Sequence, residues 1–199
     1  IEDGAMMVPL AFVLVMATVV LNGFTLAPIA RALGLTAGDR PGLMILGGSI
    51  FATGLATALE KAGAKVLIAD PNRAHLRTAR DAGVPHFHGD ILSEAAEDSI
   101  EFIAYTTLLV ASDNDAYNTL VATNLAPEFG RDAIWQVARV REDRARHALP
   151  NQLGGRALNG GRTLAQYLDL LAAGWIFRTT RLTEEYTLDD WQAARDNTL

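Results

Sequence analysis

The sequence predicts an α/β protein: a doubly wound parallel sheet, preceded by a transmembrane helix and followed by a small α/β appendage. One observation is a long uncharged apolar run near the start of the chain. The second is a regular alternation, from residue 42 onward, of short apolar runs with helix-like segments, which is typical of parallel sheets covered by helices. Half of the 199 residues are hydrophobic, enough for a substantial core.

Charge and cysteine content narrow the function classes. The net charge of -6 argues against a nucleic-acid-binding surface, so no nucleic-acid partner is expected. The chain has no cysteine, which excludes disulfides and thiolate metal sites within it.

The uncharged run is predicted to cross a membrane. Met7 to Ile29 would form a helix about 34 Å long at about 1.5 Å per residue. A bilayer core is about 30 Å thick. A signal peptide is the alternative, but its basic leading region is replaced here by Glu2 and Asp3. Arg31, just after the run, favours a cytoplasmic location for the residues that follow.

The segment "GLMILGGSIFATGLATALEKAGAKVLIAD" predicts a strand, a tight turn, a helix and a second strand. The apolar run "LMILG" is the first strand, Ser49 to Ala62 the helix, and "KVLIAD" the second strand. Asp70 follows Gly47 at about the distance that separates the first glycine from the ribose-binding acid in a Rossmann unit. The spacing therefore predicts a Rossmann-like nucleotide site.

The turn departs from the G-x-G-x-x-G pattern at its second glycine. Gly47 takes the first position, Ser49 the second and Ala52 the third. Alanine is tolerated at the third position, but Ser49 brings a Cβ and a hydroxyl to the place where a pyrophosphate approaches the backbone. The hydroxyl is expected to cap the helix or to bond a single phosphate. The departure favours a mononucleotide over a dinucleotide.

The alternation continues to the end of the sheet. In order, we expect a helix in "PNRAHLRTARDAG", a strand in "VPHFHGD", a strand in "TTLLVAS", a helix in "DNDAYNTLVATNLAPEFG" closed by Gly130, and a strand in "DAIWQVAR". A connector helix and turn in "REDRARHALPNQLGGRALNGG" lead to a helix in "TLAQYLDLLAAG" and a strand in "WIFRTTRLT". The appendage is interpreted as regulatory, contact-forming, or a cover for a sheet edge.

Ligands of such sheets bind outside the carboxyl ends of the strands. The residues predicted there, as candidate nucleotide-binding residues, are Gly47, Gly48, Ser49, Phe51, Ala52, Asp70, Asn72, Arg73, Asp90, Ile91, Ser112 and Asp113. Asp70 favours a free ribose over a 2′-phosphorylated one, and the nearby Arg73 weakens that preference.

Metal binding and catalysis are not expected. His86 and His88 share a strand face, but no third ligand is evident, so no metal site is predicted. The sequence has no G-K-[ST] phosphate loop, no G-x-S-x-G and no H-E-x-x-H. No nucleophile–base arrangement appears, so no catalytic residue is predicted and a non-enzymatic role is favoured.

Four segments carry a resemblance that covers nearly the whole chain. They are "VPLAFVLVMATVVLNGFTLAPIARALGL", "GDILSEAAED", "LLVASDNDAYNTLVA" and the tail "FRTTRLTEEYTLDDW". In this order they resemble the C-terminal part of bacterial monovalent cation/proton antiporters of the sodium/proton exchanger type, with a fused RCK or TrkA-N nucleotide-binding domain. The resemblance implies a division into the last transmembrane helix (1–31), a linker (32–41), the nucleotide-binding domain (42–150) and a C-terminal subdomain (151–199).

The resemblance also implies a function. A cytoplasmic domain of this kind senses AMP, ATP or NAD(H) and adjusts sodium or potassium exchange for protons at the inner membrane. By position, Gly47, Gly48, Ser49 and Ala52 would form the phosphate turn, Asp70 would bind the ribose, and Asp90, Ile91 and Ser112 would surround the base. Partners would be an upstream transmembrane transport domain and a second copy in a homodimer.

Two other functions remain open on the sequence. The same domain could regulate a potassium channel or uptake system, which an upstream filter motif such as TVGYG would indicate. An NAD-dependent oxidoreductase is disfavoured by the apolar run and by the missing catalytic group.

Overall fold

The computed structural model describes residues 2–32, 42–139, 154–158, 161–180, 182 and 185–196. The chain divides into two compact units, Ile1–Arg40 and Pro41–Leu199.

The first unit contains one long helix, α1 (Glu2–Ala32). Its stretch Met7–Ala30 is long and apolar enough to cross a membrane, judged by length and composition. The described large apolar side chains along this stretch are exposed.

The second unit is built on a parallel sheet of six strands in the order β3-β2-β1-β4-β5-β6. Every pair of neighbouring strands is parallel. Their bounds are β1 Gly42–Leu46, β2 Lys65–Asp70, β3 His86–His88, β4 Thr107–Val110, β5 Ile134–Gln136 and β6 Arg156–Ala157. The predicted Rossmann-like doubly wound sheet is thereby confirmed, because parallel neighbours require the intervening helices to cross over the sheet.

Helices cover both faces of this sheet. Their bounds are α2 Ile50–Lys61, α3 Arg77–Asp81, α4 Glu94–Ser99, α5 Asp115–Asn124, α6 Ala126–Phe129 and α7 Leu164–Ala172. A further helix, α8 (Leu188–Asp196), follows near the end of the chain. Successive residues of β1 enter opposite cores: Met44 and Leu46 pack with α4 and α5, and Ile45 packs with α2, α3 and α7. The alternation follows from the two-residue period of a strand.

Three predicted elements differ from the structure. The helix expected in "PNRAHLRTARDAG" is reduced to α3, because the Asn72 side chain accepts a hydrogen bond from Ala74 N (2.9 Å) and makes a turn first. The helix expected up to Gly130 is split into α5 and α6 around Leu125, next to Pro127, which has no N–H to donate.

The third wrong element is the strand in "WIFRTTRLT", since its described residues, 175–180 and 182, form no strand. Trp175 N instead bonds Leu170 O at 3.0 Å, and the Phe177 ring packs against Phe51, so this segment crosses α2 rather than joining the sheet. The expected connector helix falls mainly in 140–153, outside the described residues; β6, which follows, was not predicted.

Candidate functional site

The turn between β1 and α2 has a backbone that only glycine adopts readily. Gly47 has φ +107°, and its N–H donates to Ala69 O at 2.8 Å. A Cβ on Gly47 would lie 2.5 Å from the carbonyl oxygen of Ala111, the residue that follows β4. The first glycine of the predicted turn is therefore required both by conformation and by space.

Ser49 begins the helix that follows the turn. Its backbone is extended (φ -155°, ψ 168°), and its Oγ accepts a hydrogen bond from Ala52 N at 3.1 Å. Its carbonyl accepts from Thr53 N. This is the capping role that the sequence offered as one of two alternatives. Among the described residues, the N–H groups of Ile50 and Phe51 have no acceptor, which leaves two helix-start donors for an anion.

Asp70 is buried, with only 3% of its surface exposed, and it pins this turn from the end of β2. Its Oδ2 accepts hydrogen bonds from Gly48 N (2.7 Å) and from His75 Nδ1 (3.2 Å). Its Oδ1 accepts from Asn72 N at 2.6 Å. The carboxylate that was predicted to bind ribose is thus engaged by three donors of the protein itself.

His75 stands between Asp70 and solvent. Its Nε2 lies 3.0 Å from Asn72 Nδ2, so the neutral tautomer with a proton on Nδ1 satisfies both contacts. A Cβ on Gly48 would lie 2.7 Å from the His75 carbonyl oxygen, so the two loops are in direct backbone contact. Gly48 is therefore needed because His75 lies against it.

Asp90 lies after β3 and is also engaged. Its Oδ1 accepts hydrogen bonds from the Tyr117 hydroxyl (2.5 Å) and from Leu92 N (3.0 Å). The half-buried phenol has a raised pKa because burial disfavours its charged form, and the Asp90 bond and the nearby Asp70 charge add to the effect. Tyr117 thus joins α5 to the β3 loop beside both candidate acids.

Ser112, after β4, belongs to a buried polar pair. Its N–H and its Oγ both donate to Asn118 Oδ1, at 3.1 and 2.7 Å, and Asn118 Nδ2 donates back to Ser112 O at 2.9 Å. The Asn118 side chain is completely buried. This arrangement fixes the β4 loop against Gly47, whose missing side chain leaves room for it.

The structure brings most of the predicted residues to one edge of the sheet, but not all side chains face that edge. Phe51 and Ile91 are buried in the two cores, so their side chains pack inside the protein rather than facing this edge. Asn72, Arg73 and Asp113 are exposed at the rim.

Sequence reasoning missed His75, Tyr117 and Asn118. His75 follows the predicted ribose acid by five residues, and nothing in its spacing indicates a contact with that acid. Asn118 and Tyr117 sit on the predicted helix after β4, where their hydrogen bonds depend on tertiary structure. Within the described ranges, no group of three or more His, Asp or Glu side chains is arranged to hold a metal ion.

Comparison with known proteins gives one family and several structural likenesses. The TrkA-N domain model matches residues 43–157. The NAD(P)-binding domain of an exopolyphosphatase-related protein from Archaeoglobus fulgidus is 17% identical, covering 68% of this chain and 96% of that chain, with a TM-score of 0.46. A putative alcohol dehydrogenase from Thermotoga maritima is 22% identical, covering 73% of this chain and 40% of that chain, with a TM-score of 0.41. No curated protein matches significantly.

The family match covers the strands and turns that carry the candidate nucleotide-binding residues. It begins in β1, takes in the turn at Gly47, Asp70 and the β3 and β4 loops, and ends with β6. Since these residues are more than half of the chain, the protein belongs to the TrkA-N domain family.

Proposed function

We propose that residues 41–199 form a nucleotide-sensing regulatory domain of a membrane cation/proton antiporter, with an adenine mononucleotide such as AMP, or NAD(H), as ligand. The observation that carries the proposal is the turn at Gly47–Ser49. It presents two unpaired N–H groups of the first turn of α2 at the carboxyl edge of a parallel sheet. A phosphate at this place would accept both and gain from the positive end of the helix dipole.

The Ser49 cap bears on which nucleotide fits. Its side chain is already turned toward Ala52 N, and its Cβ occupies space that a second glycine would leave open. A single phosphate needs only the helix-start donors, whereas a pyrophosphate must press along the Gly48–Ser49 backbone. Because Gly48 is held against His75, this backbone has little room to yield.

The antiporter assignment rests on α1 and on the resemblance described above. A helix long and apolar enough for a membrane precedes the sheet within the same chain. A regulatory domain acts on transport only if its ligand binds two conformations with different affinity. We further propose that the upstream partner is a transmembrane transport domain at the inner membrane and that the domain works as a homodimer.

The nucleotide proposal is tested by titrating the full chain in detergent with AMP, ATP, NAD and NADH. We expect at least one dissociation constant below about 1 mM, or about -4 kcal/mol. A sharper arm uses Ile50, which is 61% exposed at the start of α2. Ile50→Glu adds a negative charge beside the phosphate donors and should weaken binding at least about tenfold.

Two controls separate charge from shape. Ile50→Gln has nearly the same size without the charge, and it should bind like the wild type. Ile103→Glu adds the same charge at another exposed isoleucine, in the turn that precedes β4, and should have no effect on binding. If none of the four nucleotides binds, or if all three variants bind alike, the sensor proposal is wrong.

The transport proposal is tested in membrane vesicles that contain the complete natural protein. Cation-driven proton movement should change when the bound nucleotide is added on the cytoplasmic side. No change with a nucleotide that binds the domain would contradict the regulatory role. Steady oxidation of NADH by the purified chain would instead support the oxidoreductase alternative.

A further inference from the structure

The Asp70 carboxylate has fewer free acceptor positions for a ribose than a carboxylate without hydrogen bonds would have. An ionised carboxylate has about four lone-pair positions, two on each oxygen. Oδ2 already accepts from Gly48 N and His75 Nδ1, and Oδ1 already accepts from Asn72 N. One position remains, on Oδ1. The two hydroxyls of a ribose diol need two.

The three donors are not equally removable. Gly48 and Asn72 donate through their backbone, and Gly48 is packed tightly against the His75 carbonyl. The His75 bond is the longest of the three, at 3.2 Å, and it comes from a side chain that is 36% exposed. The imidazole can therefore leave Asp70 by side-chain rotation while the turn keeps its other bonds.

We propose that His75 is a specificity-determining residue of the nucleotide site, because its imidazole occupies the Oδ2 position that the second ribose hydroxyl requires. In the wild-type protein only one ribose hydroxyl donates a hydrogen bond to Asp70. Displacement of His75 is needed before Asp70 can read the second. This inference rests on the proposed nucleotide function and adds a protein group that competes with the ligand.

The contact with Asn72 strengthens the competition. Asn72 Nδ2 lies 3.0 Å from His75 Nε2, and Asn72 Oδ1 is held by Ala74 N. The imidazole is thus held at both ring nitrogens, and its rotation away from Asp70 would break both bonds. His75, held by Asn72, therefore occupies the acceptor position on Asp70 that a second ribose hydroxyl would use.

The test compares AMP with 2′-deoxy-AMP and 3′-deoxy-AMP, using the full chain in detergent. In the wild type, removal of one of the two hydroxyls should weaken binding and removal of the other should change it less than about twofold. His75→Leu removes the donor and keeps apolar bulk. It should bind AMP about fivefold more tightly, the net effect of one hydrogen bond, and both deoxy compounds should then bind more weakly than AMP.

His75→Asn is the matched control, because its Nδ2 stands where the imidazole Nδ1 stands and again donates to Asp70. It should behave like the wild type. Weaker AMP binding by His75→Leu would mean that the imidazole contacts the ligand. An equal loss of affinity for each deoxy compound in all three proteins would mean that His75 does not compete with a ribose hydroxyl. Either result overturns this inference alone. Failure of every protein to bind any of AMP, ATP, NAD and NADH, with the variants melting near the wild-type temperature, would overturn the proposed function and this inference with it. Binding of one of the other nucleotides but not of AMP would overturn this inference alone.

Discussion

The Tyr117 hydroxyl donates a 2.5 Å hydrogen bond to Asp90 Oδ1, joining α5 to the loop after β3. The loop follows β3 and α5 follows β4, and these two strands flank β2 and β1 in the sheet order β3-β2-β1-β4. The bond therefore crosses the edge at which the candidate nucleotide site lies, and it links two segments that are 27 positions apart in the chain.

This bond predicts a pH effect on stability. Burial, the hydrogen bond to Asp90 and the nearby acids raise the pKa of Tyr117 in the folded protein. The unfolded phenol, with a pKa of about 10, then loses its proton first as the pH rises. Stability from this group is complete below about pH 10 and falls above it. Tyr117→Phe should lose less melting temperature than the wild type between pH 9 and pH 11, and identical profiles would contradict the assignment.

Two substitutions of Ser49 should separate its role as the cap of α2 from its effect on which ligand binds. Ser49→Ala removes the cap on Ala52 N and should cost about 1 kcal/mol of unfolding free energy. Ser49→Gly should cost only a few tenths and opens the backbone to a pyrophosphate. We therefore expect Ser49→Gly to bind NAD more tightly relative to AMP, by calorimetric titration. An unchanged NAD to AMP ratio would show that Ser49 does not restrict the ligand.

The hydrogen bonds that Asp70 accepts should stabilise the fold even when no ligand is bound. In Asp70→Asn one carboxylate oxygen becomes an NH₂ group facing a backbone N–H. The variant should lose about 1–3 kcal/mol of unfolding free energy in urea denaturation without nucleotide. Asp113→Asn, at an exposed rim position, is the control and should unfold like the wild type. A stable Asp70→Asn protein would mean that the carboxylate does not hold the turn.

The aromatic contact between α2 and α7 predicts how firmly the C-terminal part is attached. The rings of Phe51 and Tyr167 stack with centroids 4.6 Å apart. Tyr167→Leu keeps apolar bulk but loses the stacking, for which about 0.5–1.5 kcal/mol is expected. The loss should appear in the unfolding free energy, with a single transition retained. A separate early transition would show instead that α7 unfolds independently of the sheet.

Sequence reasoning located the parts of the fold that depend on local pattern. The strands ending at Leu46 and Asp70 were recognised because each is a short apolar run closed by glycine or aspartate. The strand at Arg156–Ala157 was missed because two residues carry no periodicity and pair only through β5. The segment after Gly174 has the composition of a strand, but its Phe177 ring packs against Gly54 and Phe51 of α2. Its described residues therefore do not join the sheet.

The same division applies to the site. Gly47 and Asp70 follow a spacing rule, and the structure places them in one turn. The occupancy of the Asp70 and Asp90 carboxylates could not be read from the sequence, because His75 and Tyr117 reach them through folding and not through a fixed interval. The type of group at each strand end was predictable, whereas its hydrogen-bonding partners were not.

Strand β1 connects the start of the sheet to the turn that carries the candidate phosphate donors. The chain enters the sheet at Gly42, and the same strand ends at Leu46, directly before the Gly47 turn. At about 3.3 Å per residue, this strand spans roughly 17 Å between Gly42 and the Gly47 turn. It is hydrogen-bonded on both sides, to β2 and to β4. Gly42, where the chain enters the sheet, and the turn at Gly47 are therefore joined by the backbone of a single strand that both neighbouring strands hold in place.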